Sequence, residues 1–174
     1  MFLIITLIQV AVIVLVAAYL GHLRSIARRR NVQSWESLVA RLRPDWSARE
    51  LSNNFLWKEG LSATSEETWE RIRGAHGIWA MYENAGVILE MASYAAQNCP
   101  SVDPELLAMV RSDAMQIRFC ALLSLAQYGF SHASEGVRVN AYRTATMYTG
   151  MAARMTQLLQ QNAAGILPDF VAAM

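Results

Sequence analysis

The first 23 residues of the chain form an uninterrupted apolar segment, and this segment limits the fold more than any other feature. Residues 1–23 contain no Asp, Glu, Lys or Arg, and Gln9 is their only side-chain amide. At about 1.5 Å per residue, a helix of this length crosses a hydrocarbon core of roughly 30 Å. Because a lone strand cannot satisfy its backbone groups in lipid, the sequence predicts a transmembrane helix over residues 1–23.

A cleaved signal peptide is the alternative interpretation, since Val16 and Ala18 resemble a small-residue cleavage site. No basic region precedes the apolar run, and the run is longer than the hydrophobic part of most signal peptides. We therefore expect the segment to be retained as an anchor.

The rest of the chain has the composition of an ordinary globular domain. The mean hydropathy of the whole chain is +0.20, but residues 1–23 supply roughly 55 hydropathy units against a total of about 35. The remainder therefore averages slightly below zero. With 54% apolar and 17% charged residues and two cysteines, the composition excludes a disordered chain, a polytopic transporter and a disulfide-stapled small domain.

A cluster of arginines directly follows the apolar segment and predicts its orientation. The cluster consists of Arg24, Arg28, Arg29 and Arg30. The positive-inside rule then places the globular part in the cytoplasm and the N-terminus outside, at the cytoplasmic (inner) membrane. We expect Tyr19 and His22 to lie at the headgroup level and the arginines to contact anionic lipid.

Helical periodicity predicts an all-α fold: one N-terminal transmembrane helix followed by a cytoplasmic antiparallel helical bundle. Residues 24–43 are predicted to continue the membrane helix as a juxtamembrane helix, and residues 44–174 to form the bundle. A capping box of Thr64 and Glu67 predicts a long helix reaching residue 97. Two further long helices are predicted, from residues 103–105 to about 128 and from about 134 to 161.

Charged residues spaced seven apart predict how the first two long helices pair. Glu83 and Glu90 lie on one helix, and Arg111 and Arg118 on the next. In an antiparallel hairpin that turns near residue 100, facing positions have numbers that sum to about 201. We therefore predict structural ion pairs of Glu90 with Arg111 and of Glu83 with Arg118. The alternative is that all four side chains are separately solvated.

Groups that could form an active site are few. The three histidines show no metal-ligand spacing, and no phosphate-binding loop, dinucleotide fingerprint or nucleophile elbow is present. We expect no catalytic residue, no cofactor and no metal, although His22 could ligate haem if two anchors met. Cys99 and Cys120 are expected to remain free thiols, because the hairpin separates them by roughly 25 Å. Nucleic-acid binding is not expected, since the only basic run lies against the membrane.

Two small sets of residues are candidates for contact with a partner. Met147, Met151 and Met155 recur every four residues and form one stripe on the last long helix; core packing is the favoured role of this stripe, and a partner surface is the alternative. Ala17 and Gly21 form a small-xxx-small pair that permits close packing of membrane helices. Membrane lipids, other membrane-protein subunits and a second copy of the chain are the partners that this arrangement allows.

The layout resembles a loose group of single-pass bacterial membrane proteins with a small cytoplasmic helical domain and no agreed activity. The resemblance is carried by Tyr82, Glu83 and Gly86 and by the later helix-start element with Val102, Asp103 and Glu105. It implies the topology of one N-terminal span followed by an arginine-rich juxtamembrane helix and a helical domain.

These features predict a noncatalytic accessory or scaffold subunit of a larger cytoplasmic-membrane complex. Energy-transducing complexes, respiratory or photosynthetic, are one class in which small single-span subunits often occur. The alternative is a membrane-tethered regulatory or sensing module that binds a ligand or partner through its bundle. An enzyme ranks third, because it would need a site that the sequence does not display.

Overall fold

The computed structural model describes residues 34–44, 64–131 and 134–174. No strand occurs in these ranges, which confirms the all-helical class. The elements in chain order are α1 (Trp35–Val39), α2 (Ser65–Arg71), α3 (Ala75–Asn98), α4 (Pro104–Ser131), α5 (Glu135–Asn162), a 3-10 turn (Ala164–Ile166) and α6 (Leu167–Ala173). Within the described ranges, no helix combines the length and apolarity needed to cross a membrane. The predicted span over residues 1–23 lies outside them.

The predicted capping box is present, but the helix it opens is short. The amide of Glu67 donates to Thr64 Oγ1 at 3.2 Å, and the amide of Thr64 donates to the Glu67 carboxylate at 2.9 Å. The helix nevertheless ends at Arg71, so the prediction of one helix from residue 64 to 97 is wrong. Arg73 and Gly74 both have φ of +59°, a backbone conformation that ends a right-handed helix. The chain re-enters a helix at Ala75.

The three long helices pack as two consecutive antiparallel hairpins, with α4 against both α3 and α5. Across the second hairpin, Arg154 of α5 pairs with Asp113 of α4, and Asn140 donates to Gln127 at 2.8 Å. The side chains between these helices are almost all apolar, and most are fully buried. They include Ile78, Met81, Ala85, Ile88, Val110, Ala114, Ile117, Ala121, Ala141, Ala145, Met151 and Met155.

Helix α1 and the C-terminal elements pack together against α3 and α5. Leu38, Val39 and Leu42 are buried in the same core as the long helices. Residues 34–174 therefore form one compact unit, and residues 34–43 belong to the bundle rather than to a separate juxtamembrane helix. The predicted continuous helix through residue 42 is also wrong, because Ser34 is an extended N-cap with its own capping box at Ser37.

A buried amide joins α1, α3, α5 and the C-terminus. Asn84 is fully buried; its Oδ1 accepts the amide of Arg43 at 2.8 Å, and its Nδ2 donates to the Arg43 carbonyl at 2.8 Å. The same Nδ2 donates to the hydroxyl of Tyr148 at 2.8 Å. That hydroxyl donates in turn to the sulfur of Met174 at 3.3 Å. One side chain thus satisfies the backbone of the segment after α1 and orients a buried tyrosine.

In the part of the chain that the structure describes, Glu83 and Glu90 of α3 do not form ion pairs with the arginines of α4. Arginines from the segment after α1 pair with them instead. Glu90 pairs with Arg41, whose Nη2 donates to Oε1 at 3.1 Å, and Glu83 Oε2 lies 2.6 Å from Nε of Arg43. The predictions of Glu90 with Arg111 and of Glu83 with Arg118 are therefore wrong.

The predicted ion pairs fail because of the direction in which the side chains leave helix α3. The register of the hairpin itself is close to the predicted one. Arg118 donates to the hydroxyl of Tyr82 at 2.7 Å, one residue before Glu83, and Arg111 donates to the carbonyl of Ala92 at 3.4 Å. Neighbouring residues on an α-helix point about 100° apart. Tyr82 therefore faces α4, while Glu83 points toward the segment that carries Arg41 and Arg43.

We predict that Asn84→Ala destabilises the protein by about 3 kcal/mol, because it removes the hydrogen bonds of the partly buried amide and carbonyl of Arg43 and one hydrogen bond of the buried Tyr148 hydroxyl. Hydrogen exchange of residues 34–44 should accelerate in the same variant. Asn98→Ala is the matched control, since Asn98 is exposed and its side chain donates to the carbonyl of Tyr94 one turn earlier on the same helix. Urea unfolding and hydrogen exchange of the full chain measure both effects, and equal losses in the two variants would contradict the role of Asn84.

A double-mutant cycle separates the observed ion pairs from the predicted ones. We expect Glu90→Gln combined with Arg41→Gln to give a coupling free energy of about 0.5–1 kcal/mol, the range of a partly exposed pair. The cycle of Glu90→Gln with Arg111→Gln should give less than half of that value. Unfolding free energies in low salt supply the readout, and the reverse ranking would refute the assignment of Arg41 as the partner of Glu90.

Candidate functional site

Helix α4 carries apolar side chains around its whole circumference, so it has two different apolar faces. The inner face packs on α3 and α5 through buried residues that include Leu107, Val110 and Ile117. The outer face points to solvent. Its members share exposure and apolar character, and we define the α4 face as Met115, Phe119, Leu122, Leu123, Ala126 and Phe130.

The α4 face is exposed to a degree unusual for such side chains. Phe130 is 92% exposed, Phe119 68% and Met115 58%. Soluble monomers rarely leave a contiguous apolar patch of more than a few hundred square ångströms uncovered, and larger patches mark interaction surfaces. Nothing in the described part of the chain covers the α4 face.

The spacing along the α4 face matches a helix-pairing seam. Met115, Phe119, Leu122 and Ala126 are separated by four, three and four residues. This alternation keeps side chains on one line that a second helix can follow, as in coiled coils. The geometry therefore favours a helical partner that lies along α4.

The α4 face carries no charge, because the charged residues of the helix are directed elsewhere. Arg118 is the only charged residue from 114 to 131. Its guanidinium carbon lies 4.3 Å from the ring centroid of Tyr82, and its Nη2 donates to the hydroxyl of the same tyrosine. Its Nη1 would lie 2.5 Å from a Cβ placed at Gly86, so a side chain there would displace the guanidinium. Asp113 is held by Arg154. Arg111, Asp113 and Arg118 thus bind the neighbouring helices, and the outer face from Met115 to Phe130 is neutral.

The methionine stripe on α5 is not a partner surface. Met151 and Met155 are fully buried, and Met147 is half-buried against the same core. The favoured role, core packing, therefore holds for Met151 and Met155, and the alternative of a partner surface does not. Helix α5 has a polar face that faces solvent, so its apolar stripe is the side that packs inward.

The other predicted contact residues fall on the N-terminal part of the chain. They lie outside the described residues: Ala17, Tyr19, Gly21, His22, Arg24, Arg28, Arg29 and Arg30. Cys99 and Cys120 are both half-buried and free, as predicted. In the ranges that the structure describes, no group of three His, Cys, Asp or Glu side chains is arranged to hold a metal ion.

An open cleft of about 480 Å³ lies where the break between α2 and α3 meets the end of α4. Two aromatic rings, those of Trp69 and Tyr128, line the cleft with their centroids 5.5 Å apart. The rest of the lining consists of Glu70, Arg73, Gly74, Ala75 and His76. A Cβ at Gly74 would lie 2.9 Å from the indole of Trp69, so glycine permits this approach. The cleft has no signal in the sequence, because the pattern of residues 64–97 predicts an unbroken helix where the structure has the break between α2 and α3.

Electrostatics at the start of α1 are those of a helix cap. The backbone amide of Glu36 and the Ser34 side chain bond to its carboxylate and hold the pKa of this exposed group below its ordinary value. The stabilisation of a helix start by an acidic side chain accounts for this arrangement without a chemical role.

Comparison of the chain with protein-family models, with curated proteins and with solved structures found no match. The α4 face and the cleft are therefore the features from which a function can be argued.

A matched pair of substitutions tests which methionines are core and which are surface. We predict that Met151→Ala costs about 3 kcal/mol, because it opens a cavity in the core. Met115→Ala should change the unfolding free energy by less than about 0.5 kcal/mol, because that side chain is exposed. Urea unfolding followed by tryptophan fluorescence gives both values, and a large loss for Met115→Ala would mean that the α4 face is already packed within the chain.

Proposed function

We propose that the chain is a membrane-anchored, noncatalytic accessory subunit that binds a protein partner through the α4 face. The exposed, neutral, apolar surface of Phe119 and its neighbours is the observation that carries this proposal. Residues 1–23 anchor the chain in the cytoplasmic membrane, and the bundle lies on the cytoplasmic side.

The anchor rests on the sequence of residues 1–33. The apolar segment is long enough to span the bilayer, and the four arginines after it lie within the distance over which positive charge sets orientation. The resemblance to single-pass bacterial membrane proteins supports the same topology.

A protein partner fits the α4 face better than a lipid surface does. Helices that lie on membranes carry Lys or Arg along the rim of the apolar face, where these side chains bind anionic headgroups. On α4, Arg111 and Arg118 bind groups of α3 instead. A protein surface needs no such rim, and interface cores are depleted of charged residues.

A regulatory or sensing module is the second candidate function, and the cleft beside Trp69 favours it. Aromatic rings with adjacent charged side chains offer stacking and ion pairing to a small polar ligand. The two functions use different surfaces, since the cleft lies at the C-terminal end of α4 and the α4 face runs along its outer side.

Membrane anchorage and orientation are tested on the full chain. We predict that it resists extraction at alkaline pH and that a membrane-impermeant thiol reagent labels Cys99 only after the cytoplasmic side is opened. Replacing Arg24, Arg28, Arg29 and Arg30 by Gln should produce a mixture of orientations, because the charge bias is lost. Extraction of the unaltered chain as a soluble protein would contradict the anchor.

The α4 face is tested by placing a charge on it. In native electrophoresis of membranes solubilised in mild detergent, Phe119→Glu should release the chain from its complex, while Val139→Glu, at a site 46% exposed on α5, should leave the complex intact. Trp69→Ala separates the second candidate, since a sensing cleft would lose ligand response without loss of the complex. An unchanged complex for Phe119→Glu would refute the proposed interface.

A further inference from the structure

We propose that the occupant of the α4 face is a second copy of this chain, with the two α4 helices antiparallel and crossing at Phe119. This inference rests on the proposed function, because it names the partner of the same surface. It would make the chain a dimer whose two bundles join on the cytoplasmic side of the membrane.

The distribution of side chains along α4 suits a twofold axis at Phe119. Such an axis places Phe119 against its own counterpart and Met115 against Leu123 of the other copy. Further out, exposed Phe130 lies opposite Ala108, an exposed small residue that leaves room for the ring. Ala126 lies opposite Ser112. Large side chains thus meet at the centre, and the largest peripheral side chain meets a small one.

Neutrality of the surface is the second argument for self-association. A twofold interface brings each group near its own copy, so an exposed charge at the centre is repelled by an identical charge. From residue 114 to 131 the only charged side chain is Arg118, and it lies over the ring of Tyr82 on α3. The α4 face can therefore meet itself without that penalty.

The area of the α4 face is sufficient for a dimer confined to a membrane. With aromatic side chains of about 150–250 Å² each, the exposed parts of Phe119 and Phe130 amount to roughly 300 Å². The methionine and leucines raise this to about 500 Å² per copy, or about 1,000 Å² in total, which is the lower limit of specific interfaces. Anchoring both copies in one membrane raises their effective concentration, so a surface of this size suffices.

Disulfide trapping in native membranes tests both the partner and the register. The full chain carries Cys99→Ser and Cys120→Ser as background, and Phe119→Cys is oxidised with copper phenanthroline. We expect a disulfide-linked dimer at least about tenfold more abundant than for Val139→Cys, because a bridge requires Cα atoms within about 7 Å. Ala126→Cys alone should give little dimer, while Ala126→Cys mixed with Ser112→Cys should restore it.

Other outcomes overturn the inference in distinguishable ways. Equal trapping by Phe119→Cys and Ala126→Cys would show a parallel dimer and refute the antiparallel register. A photoreactive phenylalanine at position 119 that links to another protein would refute the homodimer and leave the proposed function standing. Links to residues 1–33 of the same chain or to lipid, with an unchanged complex for Phe119→Glu, would refute both the dimer and the proposed function.

Discussion

The buried amide of Asn84 is the interaction on which the arrangement of the bundle depends. It satisfies both backbone groups of Arg43 and also bonds to Tyr148, so three separate parts of the chain meet at one side chain. A buried polar group is costly unless it is bonded, and this cost penalises any arrangement in which α1 has left α3. Apolar packing alone would tolerate small slides of α1, whereas the paired hydrogen bonds to Arg43 permit one position. That position in turn brings Arg41 to Glu90 and Arg43 to Glu83.

The sequence predicted the bounds of α4 and α5 and the hairpin register closely, because these depend on local or periodic signals, but it missed the break between α2 and α3. The start of α4 at Pro104 and the turn after Asn98 follow from proline, acidic caps and helical spacing. The ion partners of Glu83 and Glu90 could not be predicted in the same way. The register depends only on distance along the two helices. The ion partner of a side chain also depends on the direction in which that side chain leaves its helix, and here on the position of Arg41 and Arg43, some 40 residues earlier in the chain. A single buried asparagine has no periodic pattern, so the sequence did not show that Asn84 fixes the position of these two arginines.

The methionine stripe and the α4 face show how amphipathic patterns can mislead. On α5 the apolar residues form one stripe against a polar remainder, and such a stripe packs inward. On α4 there is no polar side, so periodicity gives no indication of which apolar residues are covered. Burial alone distinguishes the two faces: Ile117 is enclosed by the bundle, while Phe119, two positions later, is 68% exposed. In the described ranges, the neighbours of α4 cover only its inner side.

The proposed membrane anchor and the proposed dimer through the α4 face support each other energetically. Buried area at an interface does not convert into affinity at the rate that applies to folding, because association costs rigid-body freedom and orders exposed side chains. An interface of about 1,000 Å² is at the lower limit of specific interfaces, so free copies in solution would associate weakly. The proposed anchor would remove part of this cost in advance, because both copies would share one plane and one orientation. Folding of the bundle needs only the inner side of α4, so the α4 face is free to remain exposed until such a partner covers it.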